Sequence, residues 1–138
     1  MLEPTTYADC RALDMSFDDA LARARTALAD EGFGVVSEID IQATLNAKLG
    51  VDREPYTILG ACNPQLADQA LNIEPQLGAL LPCNVCVFVL NGQTYVSAIS
   101  AEDMFGVVKN PTLAPVAGEI GARLGQALGR IVAGLSVA

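Results

Sequence analysis

Apolar residues recur along this chain with two periods, and the changes between them mark its elements. Phe17, Ala20, Leu21, Ala24 and Leu28 follow the three-and-four spacing of a helix face, with Ser16 as a cap, Asp19 three residues later and Gly32 as the stop. GFGVVSEIDI switches to period two: Phe33, Val35, Ile39 and Ile41 share one side and Glu38 and Asp40 the other, which predicts a half-buried strand. Asp40 then caps a short helix through Ala43, Leu45 and Leu49, which Gly50 ends. VDREP reads as a loop and YTILGAC as a strand; a first strand, TTYADCRAL, fits a sheet edge. Asn63 caps the next helix, with Pro64 at its first position, and a broken helical connection runs through Leu77, Leu80 and Leu81 to Pro82.

CNVCVFVL and QTYVSAIS flank Asn91-Gly92, the signature of a type I′ hairpin. A two-residue turn pairs Phe88 with Tyr95 and Cys86 with Ser97 on one face, and Val89 with Thr94, Val87 with Val96 and Val85 with Ala98 on the other. Both faces are apolar, so one layer of helices covers only one of them, and the Phe88 and Tyr95 face calls for another helix or a second subunit. AEDMFGVVKNP reads as a loop. A long helix follows, with Thr112 as its cap and Leu113, Val116, Ala117, Ile120, Leu124, Leu128 and Ile131 on one face. Gly121, Gly125 and Gly129 form a stripe that suits close packing on a sheet; Glu119, Arg123 and Arg130 argue against a membrane span.

Composition narrows the function classes. With 138 residues, about half of them apolar, the chain suits one domain over residues 1–138. A net charge of -8 with scattered Lys and Arg argues against nucleic acid as a partner. The first fifteen residues lack a signal-peptide apolar run, which leaves a cytoplasmic address as the expectation. Four cysteines are too few for a disulfide scaffold, and the absence of His leaves a closed zinc site short of ligands. Cys83 and Cys86 have C-x-x-C spacing, but three residues along a strand they face opposite sides.

GFGVVSEIDIQATLNAKLG, YTILGACNPQLADQAL, LLPCNVCVFVL and the P-x-L-x-x-V-A-x-E-I helix occur together and in order. Over residues 15–135 the chain resembles the DUF302 family, with A-C-N-P and L-P-C as the specific elements. The resemblance implies an α+β fold, an antiparallel β-sheet with helices packed on one face and a long C-terminal helix, and association as a homodimer. It brings no established activity or cofactor. Cys10 and Cys86 match no family element.

Candidate chemistry gathers at two junctions, Cys62 before Asn63-Pro64 and Cys83 after Pro82. If the helical connection returns the chain to the same sheet end, Cys62 and Cys83 become neighbours. They then form a ligand-binding or metal-binding pair for a soft cation such as Cu(I) or Zn(II), with Asn63 and the helix N-terminus beside them. The competing reading is that two small apolar residues fill tight strand ends. Glu38 and Lys48 join the candidate ligand-binding set as a polar strand edge and a cation within reach of an ion pair. Catalysis by carboxylates needs a pocket that shifts a pKa, which the sequence does not display. The expected function is a dimeric binding module for a metal ion or small ligand; the alternatives are a thiol- or sulfur-handling enzyme using Cys62 or Cys83, and a structural or interaction protein.

Overall fold

The computed structural model describes residues 2–133. Five strands form one antiparallel sheet in the order β1-β5-β4-β3-β2: β1 (Ala8–Leu13), β2 (Gly34–Asp40), β3 (Tyr56–Cys62), β4 (Cys83–Leu90) and β5 (Gln93–Ile99). The helices are α1 (Phe17–Asp30), α2 (Ile41–Leu49), α3 (Pro64–Ile73), α4 (Ala101–Gly106) and α5 (Ala114–Ala133), with short 3-10 segments at Pro75–Leu80 and Pro111–Leu113. This is the expected α+β architecture. Residue 135, where the resemblance ends, lies outside the described residues.

Local chemistry sets the helix starts. Ser16 accepts a hydrogen bond from the Asp19 N–H, Asp40 from Ala43 and Asn63 from Leu66, so α1, α2 and α3 each have the expected cap. The β4-β5 hairpin has the expected register, including Phe88 opposite Tyr95 and Cys86 opposite Ser97. Asn91 and Gly92 have φ of 50° and 79°, and the Glu54 carboxylate accepts hydrogen bonds from both turn N–H groups at 2.6 and 2.9 Å.

α1 and α5 pack on each other and against β4 and β5. Leu28, Leu59, Val87, Val96, Leu128 and Ile131 are almost wholly buried in this core. The buried face of α5 is the apolar stripe predicted from its spacing. Arg130 Nε lies 2.7 Å from Glu31 Oε2 and ties α5 to the end of α1.

Three readings need correction. A bulge at Val36 shifts the β2 register between Val35 and Ser37, so Val35 shares the helix-covered face while Ile39 falls on the other and is 45% exposed. The short helix α2 runs from the Asp40 cap to Gly50 as expected, although it buries none of its residues. The segment read as a loop after β5 contains α4, capped by Ser100; the turn before α5 is capped by Asn110, which accepts from the Thr112 N–H, rather than by Thr112 itself. The glycine stripe does not meet a sheet: a Cβ on Gly125 or Gly129 enters open space, and one on Gly121 meets the Glu102 side chain.

Candidate functional site

Both candidate cysteines sit at the same end of the sheet. Gly34 pairs with Cys62 at the end of the β2-β3 ladder, and Ala61 pairs with Cys83 at the end of β3-β4. Strand alternation gives Cys83 the helix-covered face, with Val85 and Val87, and gives Cys62 the opposite one. The same parity that separates Cys83 from Cys86 therefore works against a bridge between Cys62 and Cys83.

The two cysteines nevertheless border one cleft of about 290 Å3, together with Asn63. Phe33 and Ile120 contribute to its wall, and no charged residue lines it. Val36 and Leu71, also lining residues, are 65% and 37% exposed, so apolar surface continues outward from the cleft. Asn63 is held in place by its cap: its Oδ1 accepts from the Leu66 N–H at 3.1 Å. Cys83 is buried, and burial, with Cys62 nearby, pushes its thiol up to about 11. It is protonated at neutral pH. Cys62 is half-buried, and all four cysteines are free.

Glu38 and Lys48 do not line this cleft. Glu38 forms an ion pair with Arg25 of α1 instead of Lys48. Sequence reasoning missed Val36, Leu71 and Ile120. The Val35-Val36 doublet, which breaks strict alternation, is the signal that marks the bulge; nothing local marks Leu71 or Ile120 as cleft residues.

A second cluster lies on the sheet face turned away from α1 and α5. Phe88 stacks between Tyr56 and Tyr95, with ring centroids 4.9 and 5.3 Å apart. Tyr56 also hydrogen-bonds the Cys86 thiol, and burial, aided by Cys86, pushes its hydroxyl up to about 12. Cys10 and Cys86 flank Ser97 across the register, and burial raises both thiols. No Asp, Glu, Lys or Arg occupies a paired position on this face.

The family model described as domain of unknown function DUF302 matches residues 10–131. The chain belongs to the DUF302 family. The crystal structure of an uncharacterized conserved DUF302 protein from Bacillus stearothermophilus is similar to this one, with a TM-score of 0.86 and 30% identity, covering 92% of this chain and 99% of that one. No curated protein matches the chain. In this DUF302 chain no helix among the described residues is long and apolar enough to cross a membrane. Nor do the described residues include a group of three or more His, Cys, Asp or Glu able to hold a metal ion.

Proposed function

We propose that this DUF302 chain is a dimeric binding module, and that its site is the uncharged cleft at the shared end of β3 and β4. The observation that carries the reading is the meeting of Cys62, Asn63 and Cys83 in one cleft without a charged wall residue. Such a cavity favours a small, neutral, largely apolar ligand, because an ion entering it leaves its hydration without a compensating partner. A metal fits less well, since the thiols approach from opposite strand faces and lack a third ligand among the described residues. Thiol chemistry also fits less well: a Cys83 thiol with a pKa of about 11 is a poor nucleophile at neutral pH. A cytoplasmic address, where thiols stay reduced, belongs to the same proposal.

Dimerisation belongs to the same proposal. The uncharged aromatic face of the sheet suits a second copy, since two chains of net charge -8 meet best where neither presents charge. Five strands spaced about 4.8 Å apart, each about 20 Å long, offer roughly 500 Å2 of projected area per chain, or about 1,000 Å2 for a pair.

Titration with the neutral dye Nile red tests the cleft. Saturable fluorescence that slows alkylation of Cys62 and is lost in Leu71→Asp is the expected result; equal binding by Leu71→Asp with unprotected Cys62 refutes the site. Sedimentation equilibrium tests the assembly. Wild type is expected to sediment as a dimer and Phe88→Asp as a monomer; a monomeric wild type, or a Phe88→Asp variant that remains dimeric, refutes this interface.

A further inference from the structure

A second hollow, larger than the cysteine cleft, lies between α4, the turn after it and the beginning of α5, with a volume of about 460 Å3. Its floor includes Phe105, Leu113 and Ala117, each at most 4% exposed, so it is apolar and built into the core. Only two lining residues are charged, Glu102 and Lys109, and their signs are opposite. Neither side chain makes an ion pair or hydrogen bond among the described residues, although both border the same space.

The positions of these charges are set by the backbone. Glu102 lies in the first turn of α4, and its side chain runs beside Gly121 of α5, where a Cβ would stand 3.5 Å from Glu102 Cγ, an ordinary contact distance. Lys109 follows the end of α4 with φ of 58°, a left-handed conformation in which glycine is the less costly residue.

We propose that this hollow is a second binding site, for a short apolar peptide with both termini free. The peptide ammonium meets Glu102, the carboxylate meets Lys109, and a central aliphatic side chain rests on Phe105, Leu113 and Ala117. An apolar floor between opposite charges distinguishes such a peptide from a simple anion, which Glu102 repels, and from a simple cation, which Lys109 repels. The site is separate from the cysteine cleft, with which it shares no lining residue.

Amide chemical-shift mapping with Ala-Leu-Ala as the probe tests the assignment. Expected are saturable shifts at Gly106, Leu113 and Ala117, and affinity reduced about tenfold, equivalent to ~1.4 kcal/mol, when the probe is acetylated and amidated. Glu102→Gln and Lys109→Met are each expected to weaken the free-ended peptide several-fold and to leave the capped peptide unchanged. The pair Glu102→Lys with Lys109→Glu restores binding by reversing the peptide. Absence of saturable shifts in well-dispersed wild-type spectra, shifts centred on Cys62 and Leu71, or equal affinity for free and capped probes overturns the proposal. Nile red binding to the cysteine cleft is scored separately, so either site can fail alone.

Discussion

Gly60 is the residue on which the cleft end of the sheet depends most directly. It lies on β3 opposite Ser37 of β2 and Asn84 of β4. A Cβ at this position stands 2.1 Å from Ser37 Oγ and 2.7 Å from Pro82 Cγ, both inside the closest approach that real Cβ atoms make. The Ser37 hydroxyl can rotate away. The Pro82 ring cannot, because its closure fixes it to the backbone that leads into β4. Gly60→Ala must therefore displace the start of β4, and overpacking of this kind costs about 1–3 kcal/mol. The lost backbone freedom of the unfolded chain returns about 0.4–1 kcal/mol, which leaves a net destabilisation of roughly 1–2 kcal/mol. Gly34→Ala is the control, since its Cβ meets only the Cys62 carbonyl oxygen at an ordinary 3.9 Å. Urea denaturation should show a lower midpoint for Gly60→Ala at unchanged slope, and little change for Gly34→Ala. Gly60→Ala within about 0.5 kcal/mol of wild type refutes the steric argument, because surface-like tolerance has that size.

Three further outcomes follow from single contacts. Glu54→Ala removes the acceptor of both hairpin-turn N–H groups and should lower stability by roughly 1 kcal/mol in denaturant melts, held to that size by solvent exposure, with Glu54→Gln retaining part of it. Asn63→Ala removes the α3 cap and should cost about 1–2 kcal/mol, while Asn63→Asp should restore most of it. Because burial raises the Cys83 pKa from 9.0 to about 11, the folded state favours its thiol form. That contribution is complete below pH 9 and is lost as pH rises through 11, so stability should fall across this window more steeply in wild type than in Cys83→Ala.

What the sequence by itself determined is local. The caps at Ser16, Asp40 and Asn63, the hairpin register around Asn91-Gly92 and the buried stripe of α5 each depend on contacts within a few residues or on a periodicity carried by one element. Strand parity was equally readable for Cys83 and Cys86. Tertiary structure decided what those elements meet. The Val36 bulge moves Ile39 to the other face, and Glu38 finds Arg25 on α1 where sequence proximity suggested Lys48. The glycine stripe of α5 faces no strand, because α1 and the apolar face of α5 already fill the layer against the sheet. The cleft around Cys62 and Cys83 joins residues as distant as Phe33 and Ile120, and its lack of charge is a property of that set. Hydrogen bonds and side-chain periods act over one or two turns, whereas a cavity is the space several packed elements leave between them.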